Sequence, residues 1–417
     1  MTDRNCMAFD LALQNARLAR KPAEIVDIGI TGGSIAAIGP GLVVSADVED
    51  IDGQLVLPGL VETHIHLDKS CIIERCRIVE GTLKEAISEA ARAKAAFTEA
   101  DIETRARRTL EKAILAGTQF MRTHVEVDPR IGLKSFNVLS RLKREYAWAL
   151  DMQICVFPQE GLTNDPGTEA LLIEACRHGA DLIGGCPYTD TDPATHIDRV
   201  FRIAREFDLD IDFHLDFDLD PSWMHLDDVL RQTKAHGYGG RVAVGHVTKL
   251  SAVPPDEQAA IARRLADAGV AITVLPATDL FLMGRDVTHN VPRGVTRADR
   301  FHEHGVTCSL ATNNVLNPFT PFGDASLIRM ANLYANIAQI GRPSDLHNCL
   351  EMITGSAARM LRLDNYGLAV GHAADLIAVP CRRGEDAVAE IARPTLGIKR
   401  GRRTFVNQPG RLLPPGS

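Results

Sequence analysis

Eight short runs rich in aliphatic and β-branched residues alternate with longer stretches of helical spacing, and this constrains the fold more than any other feature. The runs lie at 60–67, 119–127, 150–158, 181–186, 209–217, 241–247, 270–276 and 306–312. Several are apolar on both parities, as strands covered on both faces are. The helix-like stretches lie at 82–115, 168–178, 195–207, 226–236, 255–268, 297–304 and 324–340. Pro254 and Pro255 open one of them, where a first-turn proline is tolerated. Gly179, Gly237 and Gly269 close three others, where a left-handed cap favours glycine. Parallel strands need helical crossovers, and eight such units over roughly 250 residues predict an α/β fold of the (β/α)8, TIM-barrel type.

The two ends read differently. Residues 10–56 and the chain from about 368 onwards carry short strand-like segments broken by turns. Neither end is long enough to make a good core alone. The economical arrangement is one small β-sandwich assembled from residues 1–57 and 367–417, with the barrel at 58–366 inserted between them. The 417-residue length accommodates both, and 45% hydrophobic with 24% charged residues excludes a disordered or fibrous chain. A net charge of −8 argues against a nucleic-acid partner. No apolar run reaches the roughly 18 residues that would suggest a membrane span, and the N-terminus lacks the pattern of a signal peptide. Nine cysteines, scattered and without a CxxC pair, suggest reduced thiols in a cytoplasmic protein.

Active sites of such barrels lie at the C-terminal ends of the strands, so the polar residues there are the candidates for chemistry. Strand one ends in Thr63-His64-Ile65-His66-Leu67-Asp68, strand two in Arg122-Thr123-His124-Val125-Glu126, and strand three in Phe157-Pro158-Gln159-Glu160. Strand five ends in His214-Leu215-Asp216, strand six in Gly245-His246, and strand eight in Thr312-Asn313-Asn314. His64 and His66 are two apart, so on an extended strand they point to one side and can grip one ion. Five of the 14 histidines fall at these ends; most others, such as His178, His225, His236, His302 and His372, fall in helix-like or loop segments and read as surface residues. The joint pattern points to a metal site.

The segment VLPGLVETHIHLDKS at 56–70 resembles the first-strand signature of the amidohydrolase superfamily. FPQEG at 157–161, His214, Gly245-His246 and PFTPFG at 318–323 resemble the cytosine deaminase branch. RTHVEVD at 122–128 and HLDKS at 66–70 also resemble N-isopropylammelide amidohydrolase, from that branch, and GHAADLIA at 371–378 resembles the superfamily's returning β-strand. The resemblance implies that His64, His66 and His214 bind one divalent metal, zinc or iron, and that the family's strand-eight aspartate falls at Asn313. It implies that His246 polarises the substrate and stabilises the transition state, and that Gln159 holds a ring amide by donor and acceptor. His124 and Phe217 are further candidates for the substrate side. The implied chemistry is attack of metal-activated water on a ring carbon bearing an exocyclic amine, since a metal lowers the pKa of water towards about 7. Strand four ends Gly184-Gly185-Cys186-Pro187 without the lysine of two-metal relatives, which implies a single ion.

Two positions depart from the branch. Asn313 can offer an amide oxygen but cannot take a proton as an aspartate can. Phe217 stands where cytosine deaminase has a proton-shuttling glutamate, and Asp216 and Asp218 beside it point elsewhere on a strand. His246, His124, Glu126 or Glu160 is left to carry the proton. The chain therefore reads as an aminohydrolase of a small nitrogen heterocycle, a pyrimidine or a triazine. The alternatives are a hydrolase of cyclic or linear amides and a catalytically impaired relative. The expected partner is a small-molecule substrate, with no nucleic acid or membrane, and a homo-oligomer is left open. No phosphate loop, GxSxG elbow or small-zinc-deaminase motif is present.

Overall fold

The computed structural model describes residues 7–42, 44–408 and 410–413, so Cys6 lies outside the described residues. Eight parallel strands form one sheet, in sequence order, and each falls within or one residue beyond the run read from the sequence. They are β6 (Leu60–Ile65), β7 (Thr118–Glu126), β8 (Asp151–Phe157), β9 (Leu182–Gly185), β10 (Asp210–Leu215), β11 (Val242–His246), β12 (Val270–Val274) and β13 (Cys308–Leu310). The first and last strands meet through the backbone of Asn313, whose N–H donates to the His64 carbonyl at 2.8 Å while its carbonyl accepts from the His66 N–H at 2.9 Å. The barrel is thus joined at the residue that the sequence singled out on strand eight.

Both chain ends enter a second sheet. β1 (Met7–Leu18), β2 (Lys21–Thr31), β3 (Ser34–Gly39), β4 (Val44–Asp50) and β5 (Leu55–Pro58) come from the N-terminal side. β14 (Leu376–Val379), β15 (Leu396–Lys399) and β16 (Arg402–Val406) come from the C-terminal side. The junction is the antiparallel pairing of β5 with β14, Leu376 opposite Pro58 and Val379 opposite Leu55. Leu11, Leu13, Ile28, Ile30, Ile35, Leu376 and Ile398 bury one shared cluster, which neither end could assemble alone. Buried Lys399 ties this sheet to the barrel, reaching Asp375 at 2.9 Å and Asp151 at 2.8 Å.

The helices include α1 (Leu83–Lys94), α2 (Glu99–Leu115), α3 (Lys134–Glu145), α4 (Thr168–Arg177), α5 (Pro193–Phe207), α6 (Leu226–His236), α7 (Pro255–Ala268) and α8 (Pro276–Leu282). The single stretch expected at 82–115 is two helices. Buried Phe97 and the cap residue Thr98, whose side chain accepts from the Asp101 N–H, restart the helix. The Thr-x-x-Asp spacing is a start signal that an unbroken run of good helix formers conceals. Strand eight is shorter than the run suggests, and beyond it the chain turns at Asn313, φ 62°. Asp216 and His246, at φ 48° and 70°, likewise end their strands in the left-handed region that non-glycine residues rarely adopt.

The loop after β9 is pinned by Asp190. Its carboxylate accepts from the Leu162 N–H at 2.6 Å, the Thr163 N–H at 2.9 Å and His196 Nδ1 at 2.7 Å. These donors outweigh burial and hold the carboxyl below its usual range. A depressed carboxylate stabilises the fold above its unfolded pKa of about 3.9, and the contribution drains away as pH falls below that. Asp190→Asn is expected to cost about 2–3 kcal/mol at pH 6–8, since it removes hydrogen bonds to a charged acceptor. The gap from the parent should narrow below about pH 4. Urea titrations at several pH values measure it, and a gap that widens in acid contradicts the assignment.

Candidate active site

β6 presents His64 and His66 from one face, and β10 presents His214 opposite them. The Nε2 atoms converge: His64 to His214 is 3.0 Å and His66 to His214 is 3.2 Å. His66 donates from Nδ1 to the His124 carbonyl at 3.2 Å, which leaves its Nε2 a bare lone pair. Burial pushes all three imidazoles well below their ordinary range, and the neighbouring cationic and imidazole groups push the same way. Neutral rings facing each other with lone pairs repel unless a cation lies between them. Zinc–nitrogen bonds of about 2.1 Å set tetrahedral ligand nitrogens about 3.4 Å apart, close to these separations. The buried Asn313 Oδ1 has no hydrogen-bond partner and adds an oxygen donor beside the strand-one histidines. The residues present therefore fit one divalent ion.

His246 ends β11 with its Nδ1 2.6 Å from Asp279 Oδ1, both side chains buried. Burial raises the Asp279 carboxyl, and His246 opposes that shift. The carboxylate accepts from Nδ1–H, so Nε2 is left as the free nitrogen of the neutral ring. Phe217 stacks on His246, with ring centroids 3.8 Å apart and planes 27° apart. Centroid distances of 6.1 Å from His64 and 5.6 Å from His214 place His246 beside the triad. Asp279 sits one turn into α8, a short helix that the sequence pattern did not announce, and it was not picked out from the sequence.

Gln159, at the end of β8, accepts on Oε1 from Lys69 Nζ at 2.9 Å and has Nε2 3.3 Å from the Cys186 sulfur. Lys69 also donates to Glu126 at 2.6 Å. Lys94, the last residue of α1, reaches Glu126 at 2.7 Å and Glu160 at 2.8 Å and also pairs with Asp128. Burial opposes ionisation of Glu126, but the Lys69 and Lys94 ammonium groups hold it below the usual range. Burial and the Glu126 charge push Glu160 up to about 7. Glu126 and Glu160, two of the sequence candidates for proton transfer, are thus engaged by lysines.

His124 is fully buried and stacks on His64, centroids 3.7 Å apart, with Nε2 3.5 Å from Asp212. Asp212 binds Arg122 through its other oxygen at 2.7 Å. The carboxylate of Asp216 accepts from the backbone N–H groups of His225 and Leu226 at 2.9 and 3.0 Å, at the start of α6. Leu83, Ala86, Ile87 and Ala90 of α1 share an apolar cluster with Phe217, Tyr188 and Phe319, so this helix packs on the aromatics that flank the histidines.

A model of the amidohydrolase family matches residues 47–150 and 141–405. The N-isopropylammelide isopropyl amidohydrolase of Pseudomonas sp. (strain ADP) is 28% identical over 409 residues, covering 94% of this chain and 96% of that one. The pterin deaminase of Rhizobium rhizogenes is 27% identical, covering 90% and 87%. Among solved structures, 5-methylcytosine deaminase from Klebsiella pneumoniae, liganded with 5-fluorocytosine, superposes with a TM-score of 0.92 at 29% identity, covering 97% of this chain and all of that one.

Proposed function

Because this chain belongs to the amidohydrolase family and is a hydrolase of carbon–nitrogen bonds, we propose that it removes an amino or alkylamino group from a small pyrimidine- or triazine-like ring. The convergence of three imidazole nitrogens beside the His246–Asp279 pair carries the reading. His64, His66 and His214, with the Asn313 oxygen, would hold one divalent ion, zinc or iron. Such an ion acts as a Lewis acid and brings water within reach of deprotonation at neutral pH.

The residues supply the rest. Hydrolysis needs a group that takes a proton from the attacking water and returns it to the departing amine. Neither Asn313 nor Phe217 can do so. His246 presents a free Nε2, and the buried Asp279 carboxylate stabilises the imidazolium formed when it accepts that proton. A bond forms between the water oxygen and the ring carbon, the proton rests on His246, the bond from that carbon to the exocyclic nitrogen breaks, and His246 gives the proton to the leaving amine. Phe217 holds the imidazole in plane, and Gln159 and Lys69 face the ring. His124 supports His64 from behind, with Asp212 and Arg122 beneath it. The eight described cysteines are unpaired, which supports a reducing, cytoplasmic setting. Among the described residues no helix is long and apolar enough to cross a membrane.

The test is ammonia or alkylamine release from a panel of aminated pyrimidines, triazines and pterins, with zinc or iron supplied. Turnover of at least one ring, with product mass showing exchange of an amine for an oxygen, is expected. A product heavier by one water with no amine lost indicates ring opening instead. Asn313→Ala is expected to weaken metal retention about 10- to 100-fold, the range typical of groups that support a metal site. Competition with a chromogenic chelator measures it, and unchanged affinity removes Asn313 from the ligand set.

A further inference from the structure

The functional side chains are sealed off from solvent. His64, His66, His214, His246, Gln159 and Asn313 are each no more than 2% exposed. A small ring cannot reach them unless an element over the mouth of the barrel moves, and the element that moves is the one least firmly tied. α8 is held by Asp279 on His246 and by Thr278 on Thr320 at 2.6 Å. The loop after β13 is held by its backbone: the N–H groups of Cys71 and Ile73 donate to the carbonyls of Val315 and Leu316, each at 2.9 Å. Asp190 pins the loop after β9.

α1 lacks comparable ties. Each of α2 to α7 lies along a strand or a neighbouring helix, whereas α1 lies along none. Its inward face is Leu83, Ala86, Ile87 and Ala90, and the two alanines bury few carbons against the aromatics beneath. Among the described residues, every hydrogen bond from an α1 side chain to a later part of the barrel comes from Lys94. Other α1 side chains turn back on the approach to the helix. Glu85 accepts from the N–H groups of Val79, Glu80 and Gly81 at 2.8, 2.9 and 2.6 Å, and Glu89 accepts from that of Arg77 at 2.6 Å. Residues 77–94 are thus stapled into one piece that rests on an apolar face and is tied at one end. Just past the tie, exposed Ala95 and Ala96 lead to buried Phe97, which lies 4.3 Å from the Arg105 guanidinium of α2. A bend at the two alanines therefore leaves α2 in place.

We propose that residues 77–94 are the entry lid of the site and that Lys94 is the positioning residue that latches it. With its ammonium among Glu126, Asp128 and Glu160, at and just beyond the ends of β7 and β8, the apolar face of α1 covers Phe217 and Phe319 and the mouth is shut. When the ammonium gives up these carboxylates, the piece tilts about Ala95 and Ala96 and the face lifts. Glu126 also binds Lys69, so the latch is joined to the floor of the site.

Zinc exchange and amide protection report on the lid without turnover, so its failure and that of the amine-releasing reaction stay distinguishable; only the histidine cluster is presupposed. Zinc uptake by metal-stripped protein and zinc release to a chromogenic chelator are timed in the parent, Lys94→Met and Ile87→Ala, and amide hydrogen exchange is mapped in all three. Lys94→Met is expected to raise both zinc rates about tenfold or more, the worth of one hydrogen bond to a charged group, by enlarging the open population. Zinc affinity should stay as it is, because α1 supplies no ligand. Amides of 83–94 should exchange faster, with those of α2 and α3 unmoved. Ile87→Ala trims the apolar face while keeping charge and helix propensity, so it should act in the same direction, and it decides the matter if Lys94→Met does not fold. Faster release with weaker affinity and unchanged uptake overturns the proposal, since Lys94 then only supports the floor of the site. Zinc rates and 83–94 protection equal to the parent's in the folded variants overturn it as well. Should the parent take up no zinc, unchanged protection of 83–94 in Ile87→Ala is by itself enough to overturn the lid.

Discussion

Replacing His214 by alanine is expected to strip the protein of its metal and lower turnover by at least about 10³-fold, because water then keeps a pKa near 15.7 instead of about 7. His64 and His66 come from one strand and converge only against His214, which reaches them from the far side of the barrel. Without it the remaining pair spans one side of the ion, and two ligands hold zinc far more weakly than three or four. The fold should survive, since His214 donates no hydrogen bond that closes the barrel; that junction is the backbone of Asn313 with His64 and His66. Metal analysis after gel filtration, circular dichroism and the amine-release assay together check the expectation. A folded His214→Ala protein that keeps one equivalent of metal and its rate would remove the triad from the mechanism.

Much of this was legible because the barrel writes itself into sequence as alternation. Each strand is covered on both faces, so its residues are apolar at both parities, and the exceptions stand out at the C-terminal ends. His64, His66, His214 and His246 were visible as such exceptions. What escaped were residues whose local pattern looks ordinary. Asp279 lies in a stretch after strand seven where the sequence shows no helical pattern, and nothing local says that a short helix, α8, turns it back onto β11. Lys94 reads as one more solvated basic residue inside the stretch at 82–115, yet it is the buried last residue of α1, among Glu126, Asp128 and Glu160. Lys69 reads as an ordinary basic residue after strand one, because its partner Gln159 lies 90 residues away. The division of 82–115 at Thr98 was hidden by strong helix formers on both sides. Long-range pairing decided the cases of Asp279, Lys94 and Lys69, and local periodicity carries no information about it.

The pair His246–Asp279 separates a base from a structural histidine, and its variants have the second largest expected effect. His246→Ala is expected to lower kcat by about 10²–10⁴-fold with the metal retained, the range for losing a positioned acid–base group. Asp279→Asn is the sharper variant. Asparagine can still accept from Nδ1–H, so the ring keeps its place against Phe217, but the charge that stabilises the protonated imidazole is gone. The sign follows. Removing a negative charge disfavours the imidazolium, so the acid limb of the rate profile should move to lower pH while the maximal rate falls. A merely structural carboxylate predicts otherwise: loss of stability and a uniform loss of rate, with the profile unmoved. The two are told apart by measuring kcat and kcat/KM from pH 5 to 10 in the parent and both variants. If Asp279→Asn keeps the parent profile, the proton must travel through another group, and the engaged carboxylates Glu126 and Glu160 become the next to test.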